Sequence, residues 1–294
     1  MTNARAAGRL FVVATPIGNL GDLSPRARAV LSACALIAAE DTRHTGALLK
    51  HFDIHTPMVS LHEHNELERT PELLLRMQSG AEIALVSDAG TPGISDPGVD
   101  LVRACAAAGL DIIAIPGPCA LLAALSIAAL PTDRFCFEGF LPARAAARRA
   151  RLDALAEEPR TLVFYESPHR VRDMLEDCVG TLGPERTAAV AREITKLHET
   201  LYRGSLAQLA LRAVAEADFA RGEIVLVVAG AAPSHSDAAG GADGHGGALD
   251  RVLRPLLKEL PLKQAAHLAA QISAVRENEV YKRALQLKQA YGAP

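Results

Sequence analysis

Short apolar runs recur along the chain, separated by stretches whose apolar residues fall three or four positions apart. The short runs predict strands at residues 10–14, 36–39, 58–61, 83–86 and 112–115. A second set follows at 135–137, 161–165, 188–191, 200–203 and 223–228. The stretches between them have helical periodicity, so the pattern predicts an α/β fold with largely parallel sheets. Ser24-Pro25, Asp96-Pro97 and Ser167-Pro168 each place a capping residue before a proline suited to the first helical turn.

The two sets of strands part near Pro116-Gly117-Pro118. Residues 119–130 are apolar on nearly every face, which predicts a buried helix where two lobes meet. Residues 231–248 contain five glycines and no large apolar side chain, the composition of a flexible linker. Helical periodicity returns at 249–260, 263–272 and 277–291, a length that predicts a small helical appendage, helix-turn-helix-like. The expected organisation is one lobe over 8–117, a second over 118–230, a linker over 231–248 and a small helical domain over 249–294.

The 294 residues are 49% apolar and 22% charged, ordinary for a soluble globular protein. Aromatic residues make up only 4%, with no Trp, so the core must come from Ala, Leu, Val and Ile. The same scarcity offers little surface for stacking on unpaired bases. A net charge of −3 excludes a basic coat for nucleic acid. Local basic stretches exist all the same. Arg144, Arg148, Arg149 and Arg151 occur with no acid between 143 and 151, and from Asp250 onward eight Lys/Arg stand against four Asp/Glu. These are either faces that guide a polyanion or ordinary solvated helix faces. The five cysteines are odd in number, widely spaced and without C-x-x-C, as expected of free thiols in a reducing cytoplasm. Residues 1–10 lack the apolar core of a signal peptide, and the longest apolar run, 120–130, is about half a membrane span. A soluble, cytoplasmic protein is expected.

Chemistry concentrates at the carboxyl ends of the strand-like runs. Residues 87–98, S-D-A-G-T-P-G-I-S-D-P-G, join a predicted strand to a predicted helix. Glycine allows close backbone approach to a ligand, and such loops are where α/β folds place one. A tight connection capped by Asp96 explains only the last residues of the loop. Residues 14–22, A-T-P-I-G-N-L-G-D, form a second such loop. Neither contains G-x-G-x-x-G or a phosphate-binding P-loop, and no G-x-S-x-G elbow occurs. Glu40-Asp41-Thr42-Arg43-His44 and Leu61-His62-Glu63-His64-Asn65-Glu66 also follow apolar runs. His62 and His64 alternate and do not match H-E-x-x-H, so no metal is expected. In the second half, Tyr165-Glu166-Ser167-Pro168-His169-Arg170 and Arg192-Glu193-Ile194-Thr195-Lys196 occupy equivalent places, with Glu166 and Lys196 as candidates to face a cleft.

A-T-P-I-G-N-L-G-D-L-S, A-E-D-T-R-H-T, L-H-E-H-N-E, S-D-A-G-T-P-G-I-S-D-P-G, I-P-G-P-C-A, F-E-G-F-L-P and F-Y-E-S-P-H-R occur in this order. Over residues 10–228 the chain thereby resembles the ribosomal RNA small-subunit methyltransferase I family, within the tetrapyrrole-methylase-like superfamily. K-Q-A-A and N-E-V-Y-K further on resemble that family's appended helical domain. The resemblance implies two α/β lobes of the tetrapyrrole methylase type, with S-adenosylmethionine in the cleft between them, usually as a homodimer. It implies methylation of the ribose 2′-oxygen of a cytidine in the decoding region of 16S rRNA, with the 30S subunit as the expected partner. By motif matching, the cofactor is expected against Pro16, Ala89, Gly90, Thr91, Ile94, Cys119 and Ala120, and less directly Glu166 and Ile194 after the second-lobe strands, with Asp88 and Ser95 from the same Gly-rich loop.

A ribose hydroxyl is a weak nucleophile, so a base within hydrogen-bond reach is expected to help. Glu166 and Glu63 are the candidates, with Arg43 and Lys196 as candidates for the flanking phosphates. The alternatives are methylation of a small tetrapyrrole-type molecule on the same scaffold, or a non-catalytic ribosome-binding protein. One scaffold hosts many substrates, and fold alone does not separate them.

Overall fold

In a computed structural model that describes residues 7–232, 246–273 and 275–290, the first five strands form one parallel sheet. They are β1 (Arg9–Val13), β2 (Leu36–Ala39), β3 (Met58–Ser60), β4 (Ile83–Val86) and β5 (Asp111–Ile115), in the order β3-β2-β4-β1-β5. β2 and β4 are buried along their whole length, which their unbroken apolar runs require. Helices α1 (Pro25–Ala33) and α2 (Thr42–His51) cover one face through Leu31 and Leu49. Helices α3 (Glu66–Gln78) and α4 (Val99–Ala107) cover the other through Leu73, Met77 and Leu101. The chain leaves β1 toward one edge and β4 toward the other. The crevice where such a sheet accepts ligands therefore opens between the carboxyl ends of these adjacent strands.

The second sheet departs from the expected parallel arrangement. Its strands are β6 (Phe135–Phe140), β7 (Thr161–Glu166), β8 (Thr187–Arg192), β9 (Thr200–Ser205) and β10 (Ile224–Val228), in the order β6-β7-β10-β8-β9. Only β6 and β7 run parallel; the other three pairings are antiparallel. The physical reason is connection length: residues 193–199 between β8 and β9 are too few for a helical crossover, so the chain must turn back. Helices α6 (Ala145–Ala154), α7 (Val171–Leu182) and α8 (Leu206–Ala215) pack on one face around Phe164 and Phe219. Helix α5 (Ala120–Ile127) packs on the other, against Val163, Val225 and Val227. It is not buried all round as its sequence suggested: Leu121, Ala124 and Leu125 are covered, but Leu122 is 55% exposed.

Local signals worked where their partners are local. Ser24 caps α1, its Oγ accepting from Ala27 N at 3.0 Å, with Pro25 in the first turn. The other two proline signals fail. α7 begins at Val171, and Ser167-Pro168 lies in a turn before it. α4 begins at Val99 behind Gly98, whose φ of +118° is left-handed, so Asp96 is not its cap. The cap comes from Glu66 of α3. Its Oε2 accepts from Gly98 N at 3.1 Å, and its Oε1 from Asp100 N at 2.8 Å and Leu101 N at 3.0 Å. The arginine run at 144–151 is largely neutralised. Arg148 is buried and donates to Asp177 at 2.6 Å, Arg149 reaches the same carboxylate, and Arg151 pairs with Glu138.

The chain separates into two compact units, Met1–Gly230 and Ala231–Pro294. The second contains α9 (Gly246–Glu259), α10 (Leu262–Ser273) and α11 (Glu277–Ala290), packed around Leu253, Ala266, Ala269, Val280 and Ala284. Arg283 grips Asp250 through two contacts of 2.7 Å, which offsets one of the cations counted in this stretch. Of the linker expected at 231–248, residues 233–245 lie outside the described residues, and α9 starts at Gly246. Among the described residues no helix is long and apolar enough to cross a membrane.

Candidate functional site

The Gly-rich loop after β4 and the loop after β1 are tied at the crevice by reciprocal backbone bonds. Thr15 N donates to Gly90 O at 2.8 Å and Gly90 N to Thr15 O at 3.1 Å. The buried Thr15 hydroxyl donates to Ser87 O at 3.1 Å, and Thr91 Oγ1 to Pro118 O at 3.1 Å. Gly90 sits at φ +85°, a conformation that an L side chain would strain. The second lobe closes the opposite wall. Its Tyr165 Oη accepts from Leu121 N at 3.1 Å, and the rings of Phe137 and Phe140 meet Tyr165 edge-on at 4.9 and 5.7 Å. Ile194 is held between Glu193 and Thr195, both at positive φ (+53° and +70°), a strained arrangement of the kind found at ligand sites.

These walls enclose a cavity of about 370 Å³, within the range of small-molecule sites. Its floor is apolar: Ile17, Ile94, Cys119, Ala120, Ile194, Ile224 and Val225. Its charged lining is one-sided: among the described residues it holds Glu40, Asp88, Asp96, Glu166 and Glu223 and no Lys, Arg or His. Burial holds the Glu40 carboxyl above its ordinary range, and Asp88 and Asp41 nearby add to the effect. Burial pushes Asp96 up to about 6, against a hydrogen bond from Ser87, with the charges of Glu40 and Asp88 adding to the rise. The Tyr165 hydroxyl is raised as well, first by burial and then by Cys119. Such a wall repels phosphate and favours a ligand that carries positive charge and hydrogen-bond donors.

Of the residues expected to touch a cofactor, Asp88, Ala89, Gly90, Thr91, Ile94, Ser95, Cys119, Ala120, Glu166 and Ile194 line this cavity. Pro16 does not, although its neighbour Ile17 does. Of the expected catalytic group only Glu166 is there. It is buried, with Oε1 accepting from Ser167 N at 2.7 Å and Oε2 3.3 Å from the Arg170 guanidinium. Arg170 also donates to Leu141 O at 2.6 Å, so this pair ties the loop after β7 to the end of β6. Glu63 is exposed in the turn before α3 and is not brought to the cavity. Arg43 is 90% exposed and clamps Asp41, which itself caps α2. Lys196 is held by Glu193 at 2.8 Å and Glu223 at 3.2 Å, beside the cavity rather than in its lining. His62 and His64 contact each other edge-on at 6.1 Å, and among the described residues no cluster of metal-ligating side chains forms. The lining residues outside the expected set include Ile17, Phe140, Tyr165, Ile224 and Val225. All are at or beside strand ends, the one signal that could have found them.

Residues 9–210 match the family model for tetrapyrrole (corrin/porphyrin) methylases, and residues 243–288 that for the RsmI C-terminal HTH domain. The chain is 54% identical to ribosomal RNA small subunit methyltransferase I of Pseudomonas aeruginosa, covering 96% of this chain and 98% of that protein. It is 50% identical to the protein of the same name from Escherichia coli O157:H7, covering 95% of each. Among solved structures it is similar to the methyltransferase CobJ (TM-score 0.57, 22% identity, 77% of this chain and 95% of that one). It is also similar to uroporphyrin-III C-methyltransferase from Thermus thermophilus complexed with S-adenosyl homocysteine (TM-score 0.53, 19% identity, 76% and 97%). At these identities the structural likeness establishes the fold.

Proposed function

The chain belongs to the ribosomal RNA small subunit methyltransferase I family, and from that premise we propose that its acidic cavity holds S-adenosylmethionine for methylation of 16S rRNA. The target is the ribose 2′-hydroxyl of a cytidine in the decoding region, carried over from the family resemblance. The observation that supports this assignment most strongly is the cavity's lining: apolar surface for a flat base, five carboxylates and no cation. S-adenosylmethionine offers an adenine ring, ribose hydroxyl donors, an ammonium and a sulfonium, and each has a matching surface. A phosphorylated dinucleotide would meet five carboxylates and, among the described residues, no cation there.

When bound, S-adenosylmethionine supplies a methyl group already activated on a cationic sulfur. The protein's part is to orient, exclude water and accept a proton, and alignment alone lowers such barriers by roughly 7–11 kcal/mol in the best models. Ile17, Ile194 and Val225 form dry walls. The Gly90 backbone offers close approach with no side chain of its own in the way. Glu166 is assigned to positioning, because its carboxylate already serves Ser167 and Arg170. Arg43 and Lys196 lie beyond the lining, on elements that flank it, and are assigned to rRNA phosphates.

The assembled 30S subunit is the proposed partner, a homodimer the proposed state and the cytoplasm the proposed location. Scarce aromatics and paired arginines favour recognition of a structured particle over grip on a bare strand. The small-molecule alternative loses ground because the tetrapyrrole-type neighbours resemble this chain only in fold. The test is methyl transfer from labelled S-adenosylmethionine to unmethylated 30S subunits and to naked 16S rRNA, followed by nucleoside mapping. Label in 2′-O-methylcytidine is the expected result; label in neither RNA refutes the assignment.

A further inference from the structure

Among the described residues five carboxylates line the cavity, and each of four accepts from a backbone N–H or pairs with a cation. Glu40 Oε2 accepts from Asp88 N at 3.2 Å, and Asp88 Oδ1 from Asp41 N at 3.0 Å. Glu166 is held by Ser167 and Arg170, and Glu223 by Lys196. Asp96 is different. It stands just before a helix, where an aspartate would ordinarily be consumed as a cap, but Glu66 has taken the free backbone donors of α4. Among the described residues no backbone N–H and no cation pairs with its carboxylate, and the Ser87 hydroxyl beside it is its nearest polar influence. Its backbone is held on both sides: Ser95 is at φ +65°, strained for a residue with a side chain, and Gly98 at +118°. The Ser95 Oγ also lies close to β6 of the second lobe, 2.9 Å from where a Cβ on Gly139 would sit.

We infer that Asp96 is the catalytic base, its carboxylate accepting the proton of the hydroxyl being methylated. This rests on the methyltransferase function proposed above. The atoms balance within that reaction. As the oxygen–carbon bond forms, the sulfur–carbon bond breaks with its electron pair left on sulfur, and the hydroxyl proton passes to an Asp96 oxygen. The groups that face Asp96 are Ser87, Glu40 and Asp88 from the first lobe and Tyr165 from the second. Three of them are acids and none is a cation, so the surroundings favour proton capture. A base near 6 is well matched to neutral pH: ionised before the reaction, yet able to hold a proton after it.

The test uses the full-length protein with three variants and two readouts. Single-turnover methyl transfer to unmethylated 30S subunits is measured for the parent, Asp96→Asn, Asp96→Glu and Glu166→Gln. Calorimetry gives the affinity of each for S-adenosylhomocysteine. Asp96→Asn is expected to slow transfer by about 10²–10⁴-fold, with product affinity within about threefold. Asp96→Glu recovers part of the rate, and Glu166→Gln loses less than Asp96→Asn. The parent's rate falls as the pH drops through the range in which ¹³C NMR of labelled aspartate in the cofactor-bound protein shows Asp96 taking up its proton, below the value of about 6 held without ligand. Transfer by Asp96→Asn within threefold of the parent overturns the inference. So does a rate loss matched by an equal loss of product affinity, which makes Asp96 a cofactor ligand only. A parent protein inactive on every RNA overturns the functional assignment itself, a separate outcome.

Discussion

Replacing Glu66 tests whether one side chain of α3 holds the end of the cofactor loop. The carboxylate accepts three backbone bonds at the start of α4, two on Oε1 and one on Oε2, and it is 6% exposed. Removing one partner of a buried hydrogen bond costs about 1–3 kcal/mol for the group left behind. Three orphaned donors set a floor of about 3 kcal/mol for Glu66→Ala on that scale. The upper end is not reached, because a shortened side chain admits water to a helix terminus; about 3–5 kcal/mol is expected. Glu66→Gln is milder and more informative. Its oxygen can keep Asp100 and Leu101, but its NH2 then faces Gly98 N, donor against donor. One charge-assisted bond is lost, about 2 kcal/mol.

Urea unfolding of the full chain measures the stabilities, and hydrogen exchange at the Asp100 and Leu101 amides reports the local bonds. The expected order is parent, then Gln, then Ala, with exchange at Leu101 accelerated most in Ala. Affinity for S-adenosylhomocysteine falls in the same order, because Gly98 terminates the loop that lines the cavity. If both variants stay within about 0.5 kcal/mol of the parent and Leu101 keeps its protection, Glu66 is not the cap that holds this loop.

The buried Arg148–Asp177 pair predicts that Arg148→Ala destabilises by about 3 kcal/mol, because a carboxylate 10% exposed keeps only the half-exposed Arg149. Thermal unfolding checks it, with a fall of roughly 2–4 °C for each kcal/mol. Asp96 predicts a pH dependence of stability. Its carboxyl, raised to about 6 in the folded state, favours the fold below the unfolded value near 4 and loses that contribution as pH rises through 6. Asp96→Asn is therefore expected to gain stability over the parent at pH 8 and to lose that gain by pH 4, measured by urea midpoints at the two pH values.

The strands and the loops at their carboxyl ends were legible in the sequence because their signals are local. An unbroken apolar run such as 83–86 needs no knowledge of its neighbours, and a Gly-Thr-Pro-Gly segment after it announces a constrained loop. What was not legible depends on partners far along the chain. Glu66 meets its donors 32 to 35 positions downstream, so nothing local in L-H-E-H-N-E marks it as a cap. Asp96 matched a capping pattern that fails because Glu66 occupies the role first. The arginines at 144–151 read as a basic face because Asp177, which absorbs two of them, lies about 30 positions away. The polarity of the second sheet was equally hidden, since an apolar strand reads alike in either direction.

The same distribution of charge explains how a cavity can be acidic and still serve a base. Burial raises the proton affinities of Glu40 and Asp96, and without a cationic ligand repulsion among the carboxylates of Glu40, Asp88 and Asp96 adds to the rise. A positive charge among them relieves it and holds Asp96 ionised at neutral pH, ready to accept a proton. Transfer of a methyl group from sulfonium to a hydroxyl removes that positive charge. The proton affinity of Asp96 therefore rises at the step in which the hydroxyl proton must be captured. Charge lost from the ligand and proton gained by Asp96 would then be one electrostatic event. A cationic lining would reverse the coupling, which gives a physical reason for the absence of Lys, Arg and His among the residues that line it.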